Sequence, residues 1–106
     1  MRITVLEHPR LISSDRANDI ANAPLSACLQ SGYAAAYLQS LGFATDIVEG
    51  YLENLSYPEI LAILDKQRPS ILAVHLVYHW RSNSDLYNFL ILLKEQGFCE
   101  HIVAFG

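Results

Sequence analysis

The chain predicts an α/β fold built on one parallel sheet, and three observations carry that expectation. Short β-branched runs alternate with helix-length apolar periodicities, strand then helix three times, followed by a fourth strand. The run Ile71-Leu72-Ala73-Val74-His75-Leu76-Val77 is apolar almost throughout, as in a central strand covered on both faces. Each helix-length segment is closed by a glycine or proline: Gly42, Pro69 and Gly97.

Taken in order, Ile3-Thr4-Val5-Leu6 forms the first strand, and Pro9 ends it. Residues 8–25 make a long connection containing Pro9, Ser13, Ser14, Asp15, Asn18, Asn22 and Pro24. Loops of that length inside compact domains usually carry function or move. The first helix spans Ser26 to Leu41, with Ala34, Tyr37, Leu38 and Leu41 on its apolar face. Gly42 caps it, because glycine tolerates positive φ. Gly32 and the alanines at 34, 35 and 36 are small enough to let this helix lie close on a sheet.

Thr45-Asp46-Ile47-Val48-Glu49 is the second strand, with Gly50 opening a turn. Ser56-Tyr57-Pro58-Glu59 starts the second helix: Ser56 is the N-cap, and Glu59 three residues on completes a capping box. Pro58 is tolerated in the first turn, where its missing N–H costs little. Ile60, Ile63 and Leu64 make the buried stripe, and Pro69 ends the segment. The third strand is the run from Ile71 to Val77. The third helix runs from about Ser84 to Gln96, with Leu86, Phe89, Leu90 and Leu93 inward, and Asp85 suits its positive start. His101-Ile102-Val103-Ala104-Phe105 is the fourth strand.

Short links between parallel strands imply right-handed crossovers and helices on both faces, the doubly wound, Rossmann-like or flavodoxin-like arrangement of four strands and three helices. In the order 2-1-3-4 the topological switch point lies between strands one and three. The loops above it are 8–25 and 77–84, where such folds bind ligands. Residues 1–106 read as a single domain. Doubly wound domains usually continue past a fourth strand, so a truncation at Gly106 is the expectation, with a missing strand exposing an edge.

Composition narrows the function classes. The hydrophobic fraction is 52% and the charged fraction 17%, which excludes disorder. Seven basic and eleven acidic residues give a net charge of −4 with no basic stripe, so nucleic acid is not the expected partner. No apolar run reaches membrane-spanning length, and the N-terminus has no signal-peptide pattern, so a cytoplasmic location is expected. Cys28 and Cys99 are far apart and lack Cys-x-x-Cys spacing; they read as packed thiols.

The motifs that read phosphate, Gly-x-Gly-x-x-Gly and the Walker lysine loop, are absent. Tyr78-His79-Trp80-Arg81-Ser82-Asn83-Ser84 stands out at the expected binding edge. Trp and Tyr there offer flat faces for a large planar ligand, and the serines and Asn83 add neutral hydrogen-bonding groups. The competing reading has Asn83 or Ser84 capping the third helix while Trp80 packs on the loop. His8, just after strand one, reads either as a metal ligand or as an ordinary loop histidine. His75 reads as a satisfied core histidine, and His101 as an exposed strand start. No Ser–His–Asp or Cys–His grouping follows from spacing, and no carboxylates pair for acid–base work.

The stretch Pro24-Leu25-Ser26, then Tyr33-Ala34-Ala35-Ala36-Tyr37-Leu38-Gln39-Ser40-Leu41-Gly42-Phe43, resembles the first helix of the N-terminal domain of cobalamin-binding radical SAM proteins. Asp46-Ile47-Val48-Glu49 and Arg68-Pro69-Ser70-Ile71-Leu72-Ala73-Val74 are similar to that domain's second and third strands. The resemblance covers nearly the whole chain with moderately specific motifs. It implies a corrinoid-binding module of a larger B12-dependent radical SAM enzyme, not catalytic by itself. The B12 cofactor would lie across the carboxyl edge, against His8, Arg10, Ser13, Tyr78, His79, Trp80, Arg81, Ser82 and Gly106.

The resemblance also implies partners. The iron–sulfur cluster and S-adenosylmethionine would belong to a following radical SAM domain, since that cluster needs three closely spaced cysteines. Corrinoid domains that ligate cobalt use Asp-x-His-x-x-Gly after strand one. Here Glu7-His8-Pro9-Arg10-Leu11-Ile12 does not match it, so no metal ligand is assigned. His75 stands in the serine place of the Ser-x-Leu element, and Phe105-Gly106 is one glycine short of Gly-Gly, which implies an incomplete tail pocket. The alternative is an α/β protein-interaction or oligomerisation module without cofactor, such as a homodimer. A small independent enzyme is the third reading, and no constellation supports it.

Overall fold

A computed structural model describes residues 1–9, 29–76 and 84–106. Its elements are β1 (Arg2–Glu7), α1 (Leu29–Ser40), β2 (Ala44–Glu49), α2 (Tyr57–Gln67), β3 (Ile71–His75), α3 (Ser84–Glu95) and β4 (His101–Phe105). The four strands form one parallel sheet in the order β2-β1-β3-β4, the α/β arrangement expected from the alternation of elements.

Register and strand alternation assign the two faces. Successive residues of a strand point to opposite sides. Leu6 pairs with Val48 on one side and Val74 on the other, so these three share a face, with Leu72 two residues before Val74. They pack with Ile60 and Leu64 of α2, Leu86, Phe89 and Leu93 of α3, and Cys99 in a buried apolar cluster. Thr4, on the same face, donates its hydroxyl to Gln67 Oε1 of α2 at 2.9 Å. The opposite face of β1 and β2 is covered by α1.

Local chemistry explains the element ends. Ser56 accepts from the Glu59 backbone N–H while Glu59 Oε1 accepts from the Ser56 backbone N–H at 3.0 Å, closing the predicted capping box with Pro58 in the first turn. α2 ends at Arg68, a non-glycine residue at φ 45° whose guanidinium lies 4.5 Å from the centre of the Phe98 ring. The Gly42 cap is also present: φ is +91°, and the Phe43 N–H donates back to Leu38 O at 3.1 Å.

α1 differs from the sequence expectation in the face it buries. Ser31 and Ala35 lie against the sheet, with Ala34 and Leu38 half-buried. Tyr37 and Leu41, expected inward, are 66% and 56% exposed. The helix carries apolar residues around most of its circumference, so periodicity could not orient it. Close approach to the sheet selects the small residues, and Ser31 has a polar partner there.

Candidate functional site

β1 and β3 are neighbours at the switch point, and their last residues, Glu7 and His75, are register partners. Both sit on the α1 face at the carboxyl edge, and their side chains are 1% and 4% exposed. The His75 Nδ1–H donates to Glu7 Oε1 at 2.8 Å. Ser31, fully buried on the first turn of α1, donates its hydroxyl to the same carboxylate oxygen. His75 Nε2 faces the Oε1 of Gln30 at 2.7 Å, and Gln30 is exposed.

These contacts form a continuous chain from a buried carboxylate to the surface. A carboxylate only accepts, so both Ser31 and His75 must donate to Glu7. The imidazole meets an oxygen at each nitrogen, Glu7 Oε1 at Nδ1 and Gln30 Oε1 at Nε2. A buried carboxylate is tolerated only when charge-assisted hydrogen bonds replace its water. The strand ends place Glu7 and His75 side by side, and the first turn of α1 places Ser31 and Gln30 over them.

The arrangement is not a nucleophilic triad. In that device the hydroxyl donates to the imidazole, which abstracts its proton. Here Ser31 donates to the carboxylate, while the far ring nitrogen meets an amide. What the site offers is an oriented polar edge suited to binding.

Two glycines allow the backbone to close tightly around it. Gly50, just past β2, donates its N–H to Glu7 O at 2.8 Å, and a Cβ there would lie 2.5 Å from that oxygen. Gly106, just past β4, has φ +141°, and a Cβ would lie 2.5 Å from Leu76 O and 3.2 Å from His75 Cδ2. The Phe105 ring packs on the His75 ring, centroids 5.2 Å apart and tilted by 41°.

Of the residues expected at a cofactor site, two are described. Gly106 borders His75, as above. His8 is 2% exposed, and its Nδ1 lies 2.9 Å from Pro9 O. Arg10, Ser13, Tyr78, His79, Trp80, Arg81 and Ser82 lie outside the described residues. Among the described residues no group of three or more His, Cys, Asp or Glu side chains is placed to hold a metal ion, and no helix is long and apolar enough to cross a membrane.

The expectation for His75 matches its surroundings: it is buried and hydrogen-bonded. The Glu7–His75 pairing itself, with Ser31 and Gln30, was not anticipated. The predicted strand order made strands one and three neighbours, but the third strand was expected to run to Val77, whereas β3 ends at His75, opposite Glu7 at the end of β1. Cys99 is buried as expected, and burial pushes its thiol pKa above the ordinary value despite an opposing effect from Lys94. No family model, curated protein or solved structure matches this chain.

Proposed function

We propose that the chain is a cobalamin-binding module whose corrinoid lies across the carboxyl edge of the sheet, above the β1–β3 switch point. The observation that carries this reading is the Glu7–His75–Gln30 chain of contacts at that edge, in a parallel sheet of order β2-β1-β3-β4. Folds of this class bind ligands at that place. The residues there fit the group chemically: a corrinoid carries a rim of neutral carboxamides, and an exposed primary amide held in one orientation is a natural partner for them. The role is binding and presentation of the cofactor, with radical chemistry belonging to an iron–sulfur cluster and S-adenosylmethionine in a partner domain.

Visible-absorbance titration with hydroxocobalamin tests this. A saturable shift, weakened when Tyr78, His79 and Trp80 are changed to Ala, is the expected result. Folded protein that gives no shift contradicts it.

A second reading, an interaction module without cofactor, is favoured by one observation. Leu29, Tyr33 and Tyr37 recur every four residues along α1 and are 73%, 73% and 66% exposed. Sedimentation across a concentration series separates the two readings. Reversible dimerisation abolished by Tyr33→Ser with Tyr37→Ser, in protein that ignores cobalamin, would favour the second.

A further inference from the structure

We infer that Gln30 is the residue that reads the ligand: its side-chain amide, held from behind by His75 and Glu7, presents N–H donors to an acceptor oxygen of the molecule bound at the carboxyl edge. This rests on the cofactor-binding reading above and names the contact within it.

The carboxylate of Glu7 accepts from His75 Nδ1 at 2.8 Å, which fixes the orientation of the ring. The opposite nitrogen lies 2.7 Å from Gln30 Oε1, so the amide oxygen is used inward. An amide has one carbonyl and one NH2 group; with the carbonyl turned in, the two remaining donors turn away from His75. Gln30 is exposed on the first turn of α1, so those donors lie at the surface beside the switch point.

A surface glutamine normally samples many rotamers, and ordering it costs free energy. Here that ordering is done before a ligand arrives, which is how a binding residue gains affinity. Recognition of this kind suits a carbonyl or phosphate oxygen and rejects a donor. A corrinoid offers such oxygens in two places, the carboxamides of its rim and the phosphate of its nucleotide tail.

The test compares wild type, Gln30→Ala and Gln30→Glu in visible-absorbance titrations with hydroxocobalamin and with cobinamide, which lacks the phosphate-bearing nucleotide tail. Circular dichroism establishes that each variant is folded. Gln30→Glu keeps the length and helix preference of the side chain but removes its donors. The expected result is a rise in Kd of about tenfold or more for Gln30→Glu, and a smaller rise for Gln30→Ala. Weakening toward both corrinoids assigns the contact to a rim carboxamide; weakening toward hydroxocobalamin alone assigns it to the tail phosphate. Wild type that binds while both variants bind equally well overturns the inference and leaves the cofactor reading standing. Wild type that titrates with neither corrinoid overturns the cofactor reading, and this contact with it.

Discussion

The face of the sheet that packs on α2 and α3 is filled by Leu6, Val48, Leu72 and Val74, whereas the α1 face ends in Glu7, Ser31 and His75. Both regions are buried to a similar degree: Leu72 is 0% exposed, Glu7 1% and His75 3%. Their energetics differ. The apolar face stabilises in proportion to area removed from water, at about 25 cal/mol per Å². The polar face gains little net stability, because desolvating buried polar and charged groups costs about as much as their hydrogen bonds return. Equal burial therefore does not mean equal purpose. The apolar face holds the fold together, and the polar one stands at the carboxyl edge, where folds of this class bind ligands.

The largest effects should come from emptying either region. Leu72→Ala should cost about 2–5 kcal/mol, through lost transfer energy and the cavity left behind. Glu7→Ala should cost about 3–5 kcal/mol, because it strands a buried imidazole and the Ser31 hydroxyl. Urea unfolding measures both. A Glu7→Ala loss below about 1 kcal/mol would show that water reaches the pair and that the two regions are not alike in burial.

Next in size is Gly50, which touches both regions. A methyl group there would meet Glu7 O at 2.5 Å and Ile60 Cδ1 at 3.0 Å. Gly50→Ala should cost about 1–3 kcal/mol by forcing β1 and α2 apart. In NMR it should move amide signals of β1 as well as α2; a change confined to the turn would contradict this close approach.

The smallest effect is at the exposed start of α2. Ser56→Ala should cost about 1 kcal/mol by removing the cap. The backbone N–H and hydroxyl of Ser56 hold the Glu59 carboxyl below its ordinary pKa. A lowered folded-state value means that this contribution is present above the unfolded pKa and fades as pH falls through the folded one. Titration by NMR should find Glu59 low in the wild type and raised only part of the way in Ser56→Ala, which loses the hydroxyl but keeps the backbone N–H. An unchanged value would contradict the capping box.

Legibility followed the range of the interactions. The capping box and the glycine caps depend on neighbours in sequence, so Ser56, Glu59 and Gly42 could be read directly. The sheet order followed from alternation and the rules of parallel crossovers. The burial of α1 could not be read, because Tyr37 and Leu41 are as apolar as the residues that face the sheet, and only tertiary contact distinguishes them. The site was half legible. Its location followed from topology, but the Glu7–His75 bond joins residues at the ends of two separate strands, where no local pattern records it.

On the cofactor-binding proposal, Glu7 and His75 serve a ligand rather than stability. The most direct test replaces both, as Glu7→Leu with His75→Leu, and measures unfolding free energy and hydroxocobalamin affinity on the same preparation. The expected result is stability within about 1–3 kcal/mol of the wild type, the cost of leaving the buried Ser31 hydroxyl without its acceptor being offset by the desolvation relieved, with corrinoid binding weakened at least tenfold. A double variant that loses several kcal/mol of stability while its affinity is unchanged would contradict the claim and make the pair a structural one.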